Sequence, residues 1–121
     1  MAIHNLVGTA GEKAAIAYLI QNGYTIVETN WRHRRYELDI IAQSLDELII
    51  VEVKTRSLGF LESPTEAVTH AKIRRIIAAT ESYILRSDID LSIRFDIISV
   101  VKTAQGYDVE HIPNAFYSPI W

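Results

Sequence analysis

The spacing of apolar residues divides the chain into seven predicted elements. Two stretches have the three-to-four residue period of an amphipathic helix, Thr9–Asn22 and a later one that ends near Arg86. Five other apolar segments are rich in β-branched and aromatic residues and are predicted as strands: Tyr24–Trp31, Tyr36–Gln43, Leu48–Arg56, Leu91–Lys102 and Tyr107–Ile112. The order is α-β-β-β-α-β-β. Because a helix separates the third strand from the fourth, we expect an α/β (α+β) fold with a central mixed β-sheet flanked by helices.

The ends of the helices carry recognisable signals. Thr9 and Glu12 have the spacing of a capping box at the start of the first helix, and Gly23 follows its end. The second helix has two candidate starts, one at Pro64–Glu66 and one at Thr69. Both remain open at the level of the sequence.

Two polar segments are predicted to connect the first three strands. Arg32–Arg35 forms a basic loop after the first strand, and Ser44–Glu47 forms a four-residue hairpin connection after the second. The second connection makes the two flanking strands antiparallel neighbours.

Length and composition favour one globular domain over residues 1–121. The chain is 49% hydrophobic, has no cysteine and contains no internal repeat. The absence of cysteine excludes disulfides, Cys-ligated metal sites and thiol nucleophiles, and the four histidines lack zinc-ligand spacing. No secretory signal is expected at the start, and no apolar run approaches the roughly 20 residues that span a bilayer. We therefore expect a cytoplasmic protein without a membrane partner.

The charges are unevenly distributed. The formal net charge is −3, which predicts no general attraction to nucleic acid. Residues 31–75 nevertheless contain eight of the twelve Lys and Arg residues and seven of the fifteen acidic ones. The basic residues therefore concentrate in the middle of the chain.

The predicted hairpin places acidic side chains on one face. If it is symmetric about its connection, Asp39 lies opposite Glu52 and Glu37 lies opposite Lys54. Directly opposed like charges repel. A hard divalent cation such as Mg²⁺, or Mn²⁺, would offset that repulsion, because it takes oxygen ligands from one or two carboxylates.

These side chains suit the hydrolysis of a phosphodiester bond. Asp39 and Glu52 would hold the metal, and Lys54 would position the water or stabilise the charge of the transition state. Glu12 is the fourth candidate, because it shares a helical stripe with apolar residues and points toward the core. The alternatives are a capping role for Glu12 and cross-strand ion pairs of Glu37 with Lys54 and of Asp39 with Arg56.

The arrangement of Asp39, Glu52 and Lys54 resembles the PD-(D/E)xK motif of restriction-endonuclease-like nucleases and Holliday-junction resolvases. The whole chain more closely resembles the YraN family of bacterial proteins, over about residues 8–100. The matching segments are Gly11-Glu12, Gly23-Tyr24, Asn30-Trp31-Arg32, Glu37–Ala42, Val51–Arg56, Pro64–Val68 and Lys72. The resemblance implies a restriction-endonuclease-like fold, a divalent metal and a nucleic-acid substrate, with DNA favoured over RNA. By analogy with resolvases, branched or flapped DNA is one candidate substrate.

Basic residues near the hairpin are candidates for contacts with the nucleic acid. The set is Arg32, Arg34, Arg35, Tyr36, Arg56 and Lys72, with Glu37 in a supporting role. Tyr36 stands where the YraN family usually has glycine, so its ring would stack on a base or narrow the cleft. The alternative for Lys72, Arg74 and Arg75 is an ordinary solvated helix face.

Three functions remain open. The first is a nuclease that depends on Mg²⁺ or Mn²⁺. The second is a non-catalytic nucleic-acid-binding module, and the third is a protein-interaction domain in which the charges form ion pairs. The sequence also leaves open whether the chain forms a homodimer or binds a protein partner.

Overall fold

The predicted order of elements is confirmed. The structure, a computed structural model, describes residues 3–57 and 68–118. The elements are α1 (Ile3–Gln21), β1 (Thr25–His33), β2 (Tyr36–Ser44), β3 (Glu47–Ser57), α2 (His70–Ser87), β4 (Ser92–Thr103) and β5 (Gly106–Phe116).

The five strands form one mixed sheet in the spatial order β1-β2-β3-β4-β5. Adjacent strands are antiparallel except β3 and β4, which are parallel. Parallel neighbours cannot be joined by a tight hairpin, so the chain between β3 and β4 includes α2. The mixed sheet expected from the sequence is therefore present.

Each helix helps to form one apolar cluster against the sheet. Ala15 and Leu19 of α1 pack with buried residues of β2, β3 and β4, among them Val51. Ile76 and Tyr83 of α2 pack with a second set that alternates with the first along the same strands. The central strands are consequently apolar on both faces, which explains their nearly continuous runs of Ile, Leu and Val.

The start of α1 differs from the prediction. The helix begins at Ile3 rather than at Thr9, so Glu12 lies inside the helix and the predicted capping box is wrong. A tertiary contact explains the glycine at position 11: a Cβ atom there would overlap the side chain of Thr55. Only glycine lets the helix approach β3 so closely.

The boundaries of α2 agree with one of the two predicted starts. Thr69 is the N-cap, and its hydroxyl accepts a hydrogen bond of 3.2 Å from the Lys72 N–H. The other candidate start, Pro64–Glu66, lies outside the described residues. Neither helix within the described part of the chain is long and apolar enough to cross a membrane.

Both hairpin connections are shorter than predicted. Arg32 and His33 belong to β1, so the turn consists of Arg34–Arg35 alone, and the second turn consists of Leu45–Asp46. The first residue of each turn has a positive φ, 58° and 54° respectively. Two-residue connections with left-handed residues match the twist of antiparallel strands, and this geometry replaces the longer loops expected from polarity.

A buried carboxylate on β4 forms an ion pair within its own strand and hydrogen bonds to β5. The Asp96 carboxylate is fully buried and accepts hydrogen bonds of 2.8 and 2.9 Å from Arg94 and of 3.1 Å from the Asn114 N–H, and His111 Nε2 lies 2.7 Å away. Arg94 also donates to the Tyr24 hydroxyl at 2.8 Å. Burial favours the protonated acid, but the hydrogen bonds from His111, Arg94 and Asn114 outweigh it and hold the pKa of Asp96 below its usual value.

Replacing this carboxylate by an amide should destabilise the fold. In Asp96→Asn the Arg94 guanidinium stays mostly buried, loses its buried charge partner and keeps only the 3.2 Å ion pair with the partly exposed Glu47, so we expect the free energy of unfolding to fall by about 3 kcal/mol. Urea unfolding at pH 7 measures the change, with Asp108→Asn, an exposed β5 position, as the matched control. Equal stability of the two variants would contradict the stabilising role of the Asp96 carboxylate.

Candidate active site

The site begins where the regular pairing of β2 with β3 gives way to a side-chain contact. The paired register runs from Ser44–Glu47 to Ile40–Val51, with the symmetry that the sequence predicts. At the next position the Asp39 carboxylate accepts a hydrogen bond of 2.9 Å from the Val53 N–H. The Asp39 carboxylate thus accepts the hydrogen bond that a backbone carbonyl accepts in regular strand pairing. The predicted cross-strand pairing of Asp39 with Glu52 is not part of the observed β2–β3 register.

Asp39 and Glu52 nevertheless lie beside each other. Their side chains are within hydrogen-bonding reach, and the Glu52 side chain is only 8% exposed. Burial and then the Asp39 charge raise the pKa of Glu52 to about 7. Burial also raises the pKa of Asp39, although the Val53 N–H opposes that rise. The two form a carboxylate pair that is costly to ionise fully.

Lys72 supplies a positive charge to this pair. Its Nζ lies 3.1 Å from Oε2 of Glu52, and the Lys72 side chain is 37% exposed. The N-cap at Thr69 sets the start of α2 and so places Lys72 in the first turn, beside β3. The sequence suggested a nucleic-acid contact for Lys72, whereas the structure pairs it with Glu52.

Glu12 approaches the pair from α1. Burial and then the charges of Asp39 and Glu37 raise its pKa, and a hydrogen bond with the Asn30 side chain opposes the shift. Its Oε2 is buried and has no hydrogen-bond partner among the described residues. Asn30 has a φ of 52°, a left-handed conformation that asparagine tolerates. We did not predict a role for Asn30, although it lies in a segment that resembles the YraN family.

A cavity of about 120 Å³ opens beside the carboxylate pair. Its lining consists of Arg35, Tyr36, Glu37, Asp39, Glu52, Lys72, Arg75 and Ile76. Three of these residues are cationic and three are acidic. For Arg75 the sequence predicts a solvated helix face with a non-specific phosphate contact, not a place in the site. Its position three residues after Lys72, on a neighbouring part of the same helix surface, is the signal that could have identified it.

Of the other predicted residues, Glu37 lines this cavity, whereas Glu12, Arg32, Arg34, Lys54 and Arg56 are not among its lining residues. Glu37 forms a 3.0 Å ion pair with Arg32 across the β1–β2 hairpin instead of with Lys54, which corrects the predicted pairing. The positive charge of Lys54 acts on Glu52 and favours its ionised form. Arg34 is exposed at the turn, and Arg56 continues the β3 face that carries Glu52 and Lys54.

The sequence of the chain matches a described family. Residues 11–100, which include every site residue named above, match "Uncharacterised protein family UPF0102". A UPF0102 protein of Parabacteroides distasonis is 52% identical over 119 residues, 98% of each chain. Another, of Phocaeicola vulgatus, is 50% identical over the full length of both chains, and one of Flavobacterium psychrophilum is 46% identical over 117 residues, 97% of this chain and 98% of the relative. The chain belongs to UPF0102. This membership confirms the predicted YraN resemblance.

The residues of this UPF0102 site fit a hard divalent cation. Within residues 3–57 and 68–118, no three Asp, Glu, His or Cys side chains converge as a complete ligand set. Mg²⁺ does not require one, since it commonly binds one or two carboxylates and completes its shell with water and phosphate oxygens. Asp39 and Glu52 would provide the two carboxylates, and Oε2 of Glu12, which has no hydrogen-bond partner among the described residues, is a buried acceptor near Asp39.

The raised pKa of Glu52 makes the metal-free UPF0102 protein less stable as pH increases. The folded protein retains the Glu52 proton up to about pH 7, whereas the unfolded chain loses it near its ordinary pKa of about 4.3. The free energy of unfolding should therefore fall between about pH 4.5 and 7, by roughly 2–3 kcal/mol, because one pKa unit corresponds to about 1.4 kcal/mol.

Urea unfolding in chelator at pH 5, 6, 7 and 8 measures this dependence. Glu52→Gln should remove most of the decline, since the amide does not ionise. Glu110→Gln, at an exposed β5 position, should keep it. A decline that is equally steep in Glu52→Gln would exclude Glu52 as its source.

Proposed function

We propose that this UPF0102 protein is a metal-dependent nuclease that hydrolyses DNA phosphodiester bonds with Mg²⁺ or Mn²⁺ as its cofactor. The observation that carries the proposal is the composition of one cavity. Two neighbouring carboxylates, Asp39 and Glu52, lie in it together with cations from three positions, Arg35, Lys72 and Arg75. Carboxylate pairs suit a divalent cation, and cations suit the phosphates of the substrate.

The cations would bind and orient the DNA backbone. Arg35 lies in the β1–β2 turn and Arg75 lies on α2, and both are exposed at the cavity. They would neutralise phosphate charge from two sides of the cleft. Tyr36 also lines the cavity, and its ring would stack on an unpaired base.

Asp39 and Glu52 would hold the metal. When bound, the metal would supply a Lewis acid for the phosphoryl oxygens and lower the pKa of water. Lys54, on the same β3 face as Glu52, would stabilise the negative charge that develops on the phosphoryl oxygens. Oε2 of Glu12, to which no described residue donates a hydrogen bond, would accept one from a water molecule and so help to orient it.

The charge distribution favours a substrate that contacts the protein only at the cavity. The whole chain has a net charge of −3, so it does not attract long duplex DNA over its whole surface. The cations at the cavity form a local exception. Flapped or branched DNA, which projects a strand away from the duplex, is the substrate class that we propose.

Cleavage of a DNA panel tests the proposal. Single-stranded, duplex, flapped and four-way DNAs would be incubated with Mg²⁺ or Mn²⁺ and the wild type, Asp39→Asn or Glu52→Gln. We expect the two site variants to lose at least about 100-fold in cleavage rate, the scale of losing a key transition-state contact. Asp46→Asn, in the exposed β2–β3 turn, should cleave as the wild type does.

Binding measurements distinguish the other functions. If nothing is cleaved but salt-dependent DNA binding persists in chelator and in Glu52→Ala, the chain is a non-catalytic nucleic-acid-binding module. If neither metal nor DNA binds, the charged groups serve a protein-interaction surface, and the nuclease proposal is wrong.

A further inference from the structure

We propose that Lys72 is an internal counter-ion of the Asp39–Glu52 pair. Its ammonium group would leave the pair when a divalent cation binds, and only then would Lys72 contact a substrate phosphate. The inference rests on the proposed function and adds an order of events to it. The contact of Lys72 with the substrate phosphate would therefore depend on whether the metal is bound.

The geometry puts Lys72 in competition with a metal. The ammonium group lies 3.1 Å from Oε2 of Glu52, an oxygen that the metal would need. Its charge also reaches Asp39 and favours the ionised form of that side chain. One flexible cation therefore serves both carboxylates that would ligate the metal.

The charges show why both cations would not remain at the pair. Two ionised carboxylates in a mostly buried site carry a charge of −2, and one ammonium neutralises half of it. A divalent cation neutralises the pair by itself. An ammonium that remained beside it would then be repelled by the metal and would have no unmatched negative charge to bind.

The ammonium group of Lys72 can move to another position in the same cavity. It extends from the first turn of α2, already lines the cavity and is more than one third exposed. Its long, flexible stem lets the ammonium group move without moving the helix. Arg75, on the same helix, lines the cavity from an exposed position and provides the matched comparison, because its role as a phosphate contact would not depend on the metal.

Calorimetric titration with Mn²⁺ tests the competition without any measurement of activity. Lys72→Met keeps the length of the side chain and removes the charge, so Mn²⁺ should bind about tenfold more tightly than to the wild type. Lys72→Arg, which retains the charge, should stay near the wild type. Arg75→Met should change the affinity by less than about threefold, because solvent screens an exposed charge.

Binding of flapped DNA tests the displacement. Fluorescence anisotropy would be measured in chelator and again in Ca²⁺, which provides an oxygen-seeking divalent cation in place of Mg²⁺. Lys72→Met should weaken DNA binding about fivefold in Ca²⁺ and by less than twofold in chelator. Arg75→Met should weaken it in both conditions.

The outcomes separate this inference from the nuclease proposal. If the wild type and Lys72→Met bind Mn²⁺ equally, Lys72 does not compete with the metal and the inference is wrong, while the nuclease proposal stands. Equal loss of DNA binding by Lys72→Met in chelator and in Ca²⁺ would also overturn it. If no variant binds a divalent cation, both proposals fail. Circular dichroism and thermal unfolding of Lys72→Met and Lys72→Arg establish that each variant is folded.

Discussion

The confinement of two carboxylates in one largely buried space is the constraint on which the candidate site depends. Burial disfavours the charged forms of both Asp39 and Glu52, and the charge of Asp39 further disfavours the ionisation of Glu52. Neighbouring elements compensate: β3 offers the Val53 N–H to Asp39, and α2 offers Lys72 to Glu52. The Asp39–Val53 hydrogen bond forms where the regular β2–β3 pairing ends, so the local departure from sheet geometry helps to hold the acids in place.

The topology explains why residues from distant parts of the chain reach this point. Because β3 and β4 are parallel, the chain must cross over between them, and the crossover includes α2, whose Lys72 lies 3.1 Å from Glu52 in the middle of β3. The first turn of α2 therefore lies near that carboxylate. α1 reaches the same region from another direction, because Gly11 allows it to pack closely against Thr55, and the adjacent Glu12 is carried toward Asp39.

Asp96 is a buried acid whose surroundings differ from those of Asp39 and Glu52. Asp96 is surrounded by donors, and its hydrogen bonds keep its pKa low. At the candidate site the pKa values of the acids are raised, and Glu12 retains an oxygen without a partner among the described residues. Fully satisfied buried charges are typical of structural ion pairs, whereas incompletely satisfied, perturbed acids beside a cavity are typical of functional sites.

The sequence by itself determined the order of the seven elements and the β2–β3 register, and it singled out the two central acids, because periodicity, turn residues and strand alternation are local properties of the chain. Tertiary structure decided the choice of ionic partners. Glu37 pairs with Arg32, and Lys72 pairs with Glu52. Such choices depend on the distances between side chains after the helices and strands have packed. These distances follow from the crossover and from the close approach of the helices to the sheet, and the spacing of residues along the chain does not encode them.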